Sequence, residues 1–491
     1  MSIWVRPIGL AALGVAVVLV TIFVGVSRPV SARPTEPPPA IERNDQNAAA
    51  PIVLWTQLVG GAAISARALI TPAGPCPAIE TAGETLTMAV RGPHTFNAGL
   101  GFPQVCERVL PASVATATLA GRPLALFDGD ASAIVVIGDT GCRINGADQQ
   151  ACNDAAANPY VRPQGWPFAQ IISSAVAAQP DLVIHVGDYV YREGPCTTPG
   201  CAGSSYGHGW DAWWTDVIAP MQPLLPRAPW LFVRGNHELC ARGGAGWFLL
   251  FDPRPLPDTC SDFSPPNSVT LSSTLNAIVF DAAAADDSKA GKPPHGDDEK
   301  STLPIYRGYF EQAATMASDN TWFIVHAPIW GVNRTGSGHY EYRNATLQAA
   351  LAEATRHGLP EGVQIVLSGH IHIFEMLSFL TSKHSPPAQF VIGNSGTELS
   401  SPAMPFPLKD AGHAFGHDLA TGLAIYSFGF STIEPAGSAF TWTLTSRDAD
   451  GTSLSICSIS GRSAACRNAP VGGTLPLDLV LIPLAPVAGQ P

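Results

Sequence analysis

Short apolar runs that end in polar residues recur five times along the middle of the chain. Each run has the length of a buried β-strand, and most are followed by a glycine. The polar residues that follow are Asp139, Asp188 with Tyr191, Asn236 with His237, His326, and His370 with His372. Because ligands bind where the strands of an α/β sheet end, the pattern predicts that these side chains meet at one site.

Helix-like segments alternate with these strands, at residues 166–178, 210–225, 306–316 and 344–356. The alternation predicts a mixed α/β domain over residues 131–450. Residues 281–300 are charged and contain Ala, Gly and Pro, which is typical of a surface loop. Residues 451–491 form a C-terminal extension whose last part is apolar but interrupted by proline.

Residues 52–127 carry short apolar stretches that Gly and Pro separate too often for long helices. We interpret them as a small β-rich accessory domain. Before it, residues 33–51 are rich in Pro, Ala and charged residues and form a linker.

The N-terminal residues 1–32 contain an uncharged apolar stretch from Ile8 to Val26. This stretch suits either a cleaved signal peptide or an uncleaved membrane anchor. In both cases the rest of the chain is exported, so we expect a periplasmic, secreted or outward-facing anchored protein.

The ten cysteines favour an oxidising compartment. Sequential pairing would close five short loops: Cys76 with Cys106, Cys142 with Cys152, Cys196 with Cys201, Cys240 with Cys260, and Cys457 with Cys466. Sequence alone does not determine the connectivity. The alternatives are buried thiols or a thiolate zinc site, and the absence of any C-x-x-C spacing favours disulfides.

The formal net charge of −12 argues against a protein that binds nucleic-acid backbones. The polar residues at the strand ends offer oxygen and imidazole donors, which suit iron, zinc or manganese. Seven such donors exceed what one ion needs, whereas two ions that share one carboxylate would use them all. Glycines before the donors, such as Gly187 and Gly235, fit sharp strand exits.

Five motifs follow one another along the chain: G-D-T-G from Gly138, G-D-Y-V-Y from Gly187, G-N-H-E from Gly235, V-H at His326 and G-H-I-H from Gly369. Together they resemble the motifs of the calcineurin-like metallophosphoesterases. The resemblance covers roughly residues 134–375. Two residues make the chain similar to the purple acid phosphatase branch. They are Gly141, where many members of the superfamily have histidine, and Tyr191, three residues after Asp188.

The resemblance implies a four-layer α/β/β/α sandwich and a centre of two metal ions. Asp139, Tyr191 and His372 would hold the first ion, Asn236, His326 and His370 the second, and Asp188 would bridge them. The hard anionic donors of the first site should favour Fe(III), and the second should hold a divalent ion such as Zn, Fe or Mn.

The implied reaction is hydrolysis of a small phosphomonoester by a metal-bound hydroxide. His237 would protonate the leaving group or stabilise charge in the transition state, and Glu238 could orient its ring. His339 is similar to a family histidine that contacts phosphate. Tyr189 competes with Tyr191 as phenolate ligand, but in an extended segment it would point away from Asp188.

Two other functions remain open from sequence. A phosphodiesterase or nucleotidase of the same superfamily would use the same metals. A non-catalytic metal-binding surface protein is the alternative from another class, and the presence of all seven ligands together with His237 argues against it.

Overall fold

The computed structural model describes residues 51–92, 99–146, 148–285, 302–335, 338–382, 384–400, 408–469 and 480–481. The strands are β1 (Pro51–Gly60), β2 (Ala63–Ile70), β3 (Ala78–Thr81), β4 (Thr85–Thr87), β5 (Ala89–Val90), β6 (Gln104–Leu110), β7 (Ala117–Leu119), β8 (Arg122–Pro123), β9 (Ile134–Ile137), β10 (Ile144–Asn145), β11 (Asp148–Gln149), β12 (Leu182–His185), β13 (Trp230–Phe232), β14 (Asn267–Ser272), β15 (Leu275–Phe280), β16 (Thr321–Val325), β17 (Gly331–Arg334), β18 (Tyr340–Arg343), β19 (Val363–Ser368), β20 (Phe374–Phe379), β21 (Ala388–Ile392), β22 (Leu419–Ile425), β23 (Gly429–Pro435), β24 (Thr441–Asp448), β25 (Ser453–Ser460), β26 (Ser463–Asn468) and β27 (Val480–Leu481).

The α-helices are α1 (Phe168–Ala177), α2 (Trp210–Trp213), α3 (Ala219–Met221), α4 (Gly244–Leu250), α5 (Leu303–Met316), α6 (Ala345–Ala354) and α7 (Leu408–Phe415). A π-helical segment, Trp214–Ile218, joins α2 to α3, and Pro199–Cys201 and Asn236–Glu238 form 3-10 turns. The four helix-like segments expected from sequence therefore all contain helix.

Two large sheets form the centre of the protein. The first has the strand order β26-β25-β24-β23-β9-β12-β13-β1-β2-β6-β5, and the second has the order β14-β15-β16-β19-β21-β20-β22-β27. Within the first sheet β9, β12 and β13 are parallel, and within the second β15, β16, β19 and β21 are parallel. Parallel strands buried on both faces are apolar throughout, which explains the continuous runs in the sequence.

The two sheets pack face to face with helices outside them. Ile134 of β9 and Ile324 of β16 belong to the core between the sheets. Val135, the next residue of β9, points the other way and shares the outer core with Ile171 of α1. On the second sheet, Phe310 of α5 stacks on Phe280 with ring centroids 4.5 Å apart. The four-layer α/β/β/α arrangement implied by the resemblance is therefore confirmed.

Residues 52–127 are β-rich, as expected. Their strands β3, β4, β7 and β8 form a small sheet of their own, whereas β1, β2, β5 and β6 extend the first large sheet. Strand β1 pairs in parallel with β13, and Gln57 lies opposite Trp230. The separate accessory domain and the boundary near residue 127 stay predictions. Of the C-terminal extension, β25 and β26 also belong to the first large sheet.

All five disulfides follow the sequential pairing, and the described residues contain no free cysteine. The thiolate zinc site is therefore wrong. Residues 1–32, the linker to residue 50, most of the 281–300 insertion and most of the chain after residue 469 lie outside the described residues. Within the described part, no helix has the length and apolarity that a membrane crossing requires.

Candidate metal centre

The carboxyl ends of the parallel strands place the predicted ligands at one edge of the sandwich. Asp139 follows β9, Asp188 follows β12, and His370 follows β19. All three have left-handed backbone conformations, with φ of 55°, 58° and 73°. Such conformations cost about 1–3 kcal/mol each outside glycine and cluster at functional sites. The chain thus turns sharply at each of these donors.

Backbone hydrogen bonds hold these turns against one another. The His370 N–H donates to Asp139 Oδ2 at 2.8 Å, and the His237 N–H donates to Asp188 Oδ1 at 2.8 Å. Each carboxylate thereby keeps its other oxygen, Asp139 Oδ1 or Asp188 Oδ2, for the centre.

The first group of donors surrounds the Tyr191 hydroxyl. That oxygen lies 2.8 Å from Asp139 Oδ1, 2.9 Å from Asp188 Oδ2 and 3.2 Å from His372 Nε2. The hydroxyl has one proton for these neighbours, so several lone pairs face one another here. Two carboxylates, a phenol and an imidazole form a donor set that fits a hard cation.

The second group surrounds the Asn236 amide oxygen, which lies 3.1 Å from His326 Nε2 and 2.9 Å from His370 Nδ1. Turning the amide over would instead direct its NH₂ group at these nitrogens and at Asp188 Oδ2. We favour the oxygen-inward orientation because it suits a cation. One ligand atom each from Asp188, His326 and His370 lies within 4.8 Å of the others, as metal ligands require.

Asp188 connects the two groups. Its Oδ2 lies 2.9 Å from the Tyr191 hydroxyl and 3.1 Å from His326 Nε2. The side chain is buried, with 1% of its surface exposed. A single carboxylate between the two donor groups is the arrangement that a shared ligand of two ions needs.

Two backbone carbonyls set the ring nitrogens that face the centre. His326 Nδ1 lies 2.9 Å from the Val186 oxygen, and His372 Nδ1 lies 2.9 Å from the Glu398 oxygen. Because a carbonyl oxygen only accepts, each Nδ1 carries a hydrogen, and Nε2 is the nitrogen that faces the centre. A metal bound at Nε2 of His326 would take the place of the proton that the nearby carboxylates favour there.

Two glycines allow the strand ends to approach this closely. A Cβ on Gly235 would lie 2.1 Å from Asp188 Oδ1, and one on Gly187 would lie 2.4 Å from His326 Nδ1. Gly187 also has a φ of 106°. Any larger residue at either position would displace a predicted ligand.

Burial and neighbouring charges shift the pKa values of the groups at the centre. Burial raises the pKa of the Asp139 carboxyl and of the Tyr191 phenol well above their usual values, and Asp188 adds to both shifts. For Asp188 itself, burial is outweighed by His326 and His237, which hold its pKa well below the usual range. Burial alone would lower the pKa of His326, but Asp188 and Asp139 raise it to about 10. These shifts describe a site in which buried negative charge needs positive partners.

The His237 ring lies beside this centre, with Nε2 3.9 Å from Asp188 Oδ2 and the ring centroid 3.8 Å from that of Tyr191. Its Nδ1 lies 3.2 Å from the Val190 carbonyl oxygen and 3.3 Å from Glu193 Oε1. Arg242 Nη2 lies 2.7 and 2.9 Å from the two ring nitrogens. Nε2 is thus the nitrogen directed at the predicted metal ligands.

Glu193 and Arg242 are residues that the sequence reasoning missed. Arg242 Nε donates to Glu193 Oε1 at 2.7 Å, and the guanidinium also contacts the backbone oxygen of Asn236 at 3.1 Å. Despite burial, His237 and Arg242 lower the pKa of Glu193 to about 2. Glu193 lies two residues after Tyr191, but no motif marks it, and only the fold brings it to His237.

Glu238 was expected to orient the His237 ring, and the structure corrects this expectation. Its carboxylate accepts from the backbone N–H groups of Tyr189 at 2.8 Å and of Gly235 at 3.1 Å. Burial raises its pKa to about 7. Glu238 therefore connects the backbones of two ligand loops, and Glu193 makes the contact with the imidazole.

Tyr189 is fully buried and donates to the Val233 carbonyl oxygen at 2.9 Å, away from the centre, as expected. His339 is exposed near the turn of the β17–β18 hairpin, and its N–H donates to Thr335 Oγ1 at 3.2 Å. Its described contacts are within that hairpin, so its phosphate contact stays a prediction. The seven metal-ligand candidates and His237 are all brought together.

Comparison with known proteins finds a related family and related folds. Residues 132–374 match the family model of calcineurin-like phosphoesterases. Purple acid phosphatase 22 of Arabidopsis thaliana is 24% identical over 214 residues, which are 42% of this chain and 46% of that protein. The match therefore spans about half the length of that relative.

Among solved structures, purple acid phosphatase PPD1 from yellow lupin (Lupinus luteus) seeds has a TM-score of 0.53 at 15% identity, over 84% of this chain and 74% of that chain. The structure of PhoD has a TM-score of 0.53 at 11% identity, over 88% of this chain and 95% of that chain. At these identities both likenesses concern the fold alone.

Proposed function

This chain belongs to the calcineurin-like phosphoesterase superfamily through residues 132–374, in its purple acid phosphatase-like branch, and we propose that it is an exported two-metal phosphatase of small phosphomonoesters. The observation that carries the proposal is the position of Asp188 Oδ2. It lies between the Tyr191 hydroxyl and His326 Nε2, where one oxygen can serve two ions.

The donor chemistry supports two different ions. Asp139, Tyr191 and His372 would hold Fe(III), because two of the three donors are anionic oxygens when deprotonated. Asn236, His326 and His370 would hold a divalent ion such as Zn, Fe or Mn, because their donors are neutral. When bound, such a pair lowers the pKa of water and neutralises charge on phosphate oxygens.

The chain's own residues would handle the leaving group. His237 Nε2 faces the predicted metal ligands, so the imidazolium form of the ring can donate its Nε2 proton to the alkoxide that leaves phosphorus. Glu193 and Arg242 contact the ring and limit its rotation. The Arg242 guanidinium adds positive charge where negative charge develops in the transition state.

The five disulfides and the apolar N-terminal stretch support an exported protein. Within the described residues every cysteine is paired, so buried free thiols do not account for the ten cysteines.

The test is the visible absorption spectrum of the purified protein, with metal analysis of the same sample. We expect iron and a broad charge-transfer band that disappears in Tyr191→Phe. A Tyr189→Phe variant is the matched control, because Tyr189 lies nearby but points away, and it should keep the band. Iron-containing protein without a band, or a band that survives in Tyr191→Phe, would refute the phenolate assignment.

Turnover of a phosphomonoester and a phosphodiester with the same leaving group decides the substrate class. We expect faster hydrolysis of p-nitrophenyl phosphate than of bis(p-nitrophenyl) phosphate. The opposite order, with two divalent ions in a colourless protein, would favour the phosphodiesterase or nucleotidase alternative. Bound metal without any turnover would favour the non-catalytic alternative.

A further inference from the structure

A cavity of about 450 Å³ lies against helix α6, far from the metal ligands. We call it the α6 pocket; its boundaries are α6, the turns at Arg356–Leu359 and His384–Pro386, and the end of α7. Leu359 precedes strand β19, whereas His370 follows it. The length of that strand, roughly 20 Å, therefore separates the pocket from the metal centre.

The floor of the α6 pocket is apolar and aromatic. Trp330, Leu351 and Phe415 line it and are 3%, 4% and 6% exposed. Trp330 packs edge-on against Phe379, with ring centroids 5.6 Å apart. This volume and floor are those of a site that buries the flat body of a small molecule.

The rim of the pocket offers hydrogen-bond donors and positive charge. Its polar groups include the side chains of Arg356, His357, His384 and His417, and none of the residues lining the pocket is acidic, although the chain has a net charge of −12. In the part of the chain that the structure describes, no hydrogen bond or ion pair occupies these four side chains. A histidine ring donates a hydrogen bond in either protonation state, so each of the four side chains can donate to an acceptor at the rim.

Other polar side chains of the pocket are already engaged. Gln348 donates to the carbonyl oxygens of Ile329 and Arg343, both at 2.9 Å. The Thr355 hydroxyl donates to the Gly358 carbonyl oxygen at 2.7 Å. The free donors are therefore concentrated at the rim, which places the polar end of a ligand there and its apolar body on the floor.

A metal ion does not fit this rim. The rings of His357 and His384 stack with centroids 4.1 Å apart and an interplanar angle of 16°. The lone pair of an imidazole lies in the plane of its ring, so the lone pairs of two stacked rings do not converge on one ion. Among the described residues, three or more histidine, cysteine or acidic side chains come close enough to share a metal ion at Asp188, His326 and His370, and not at this rim.

We propose that the α6 pocket is a second binding site, which takes a small aromatic anion. The apolar body of the ligand would lie against the floor formed by Trp330, Leu351 and Phe415, and a carboxylate or another anionic headgroup would accept from Arg356 and from a histidine of the rim. The proposal is independent of the proposed phosphatase activity, because no lining residue belongs to the metal centre.

The test is isothermal titration calorimetry of the metal-loaded protein with naphthalene-2-carboxylate as the probe. We expect saturable binding with one site per chain. Arg356→Glu should weaken it by about tenfold or more, because it replaces a charge-assisted hydrogen bond with repulsion. Arg122→Glu, at an exposed position of β8, is the matched control and should bind as the parent protein does.

Three further measurements test whether the probe occupies the α6 pocket and is held there by its charge. Ala352→Trp places a large side chain in the pocket without changing its charge, and it should abolish binding. The neutral 2-naphthalenemethanol should bind about tenfold more weakly than the carboxylate. Saturating inorganic phosphate should leave binding of the carboxylate unchanged.

The proposal is overturned by any of five results. These are a lack of saturable binding, equal binding by Arg356→Glu, equal binding by Ala352→Trp, equal binding of the neutral analogue, and displacement of the probe by phosphate. Displacement by phosphate would mean that the anionic group alone decides binding, at the rim or at the metal centre, without the apolar floor. Far-ultraviolet circular dichroism of each variant checks that a loss of binding does not reflect unfolding.

Discussion

Arg91 should contribute several kcal/mol to stability through helix α4, which follows the loop that carries Asn236 and His237. Its side chain is 3% exposed. Nε and Nη2 donate to the carbonyl oxygens of Phe248, Leu249, Asp252 and Arg254 at 2.8–3.2 Å. Nη1 donates to Glu107 Oε2 at 2.7 Å. One arginine from the N-terminal segment thus satisfies the carbonyls at and just beyond the C-terminal end of α4.

Arg91→Met keeps the apolar stem and removes every donor. The Asp252 oxygen retains Arg67 Nη2 at 2.6 Å, and Glu107 retains the same guanidinium at 3.4 Å. The buried oxygens of Phe248 and Leu249 and the partly buried oxygen of Arg254 lose the arginine. Each buried acceptor left without a partner costs about 1–3 kcal/mol. Summed over these acceptors and allowing for local relaxation, we expect the free energy of unfolding to fall by about 3–5 kcal/mol.

Urea unfolding with the disulfides intact, followed by tryptophan fluorescence, measures this loss. Arg108→Met is the matched control, because Arg108 is exposed on the same strand as Glu107 and should cost less than about 0.5 kcal/mol. If the free energy of unfolding of Arg91→Met lay within about 1 kcal/mol of the parent value, with an unchanged dependence on urea concentration, the buried hydrogen bonds of Arg91 would not provide the expected stability.

Three other changes test the remaining interpretation. Gly235→Ala places a Cβ 2.1 Å from Asp188 Oδ1, so we expect loss of bound metal by elemental analysis, whereas Gly83→Ala, with no atom within 4 Å, should retain it. His237→Ala should retain both metals but lower kcat for alkyl phosphates by about 10²–10⁴-fold, and by less for p-nitrophenyl phosphate, which needs no proton on its leaving group; an equal loss on both substrates would contradict the acid role. Glu375 has its pKa raised to about 8 by burial, from 4.5, so the native protein keeps a proton that the unfolded chain releases. The free energy of unfolding should therefore fall as pH rises from about 4.5 to 8, and Glu375→Gln should reduce this slope in urea titrations at several pH values; an unchanged slope would contradict the assignment.

The order of the strands and the donors at their ends could be predicted from sequence. Parallel strands buried on both faces require uninterrupted apolar residues, so runs such as Ile134–Ile137 indicate strands without any tertiary information. Alternation along an extended segment also separated Tyr191 from Tyr189, which the structure places in the core. The disulfides joined cysteines close in sequence, such as Cys142 and Cys152, which the simplest pairing already suggested.

Contacts between distant segments were decided by the tertiary structure alone. The pairing of β1 with β13 joins Gln57 to Trp230, and no local pattern specifies that register. The 3-10 turn at Asn236–Glu238 directs Glu238 into the protein, although its neighbour His237 faces the centre.

Glu193 reaches His237 because two strand-end loops meet, and the α6 pocket forms where separate turns converge. Hydrophobic periodicity encodes the face of an element that is buried, because burial acts on each residue by itself. It does not encode the partner that covers that face, because the partner depends on the packing of the whole chain.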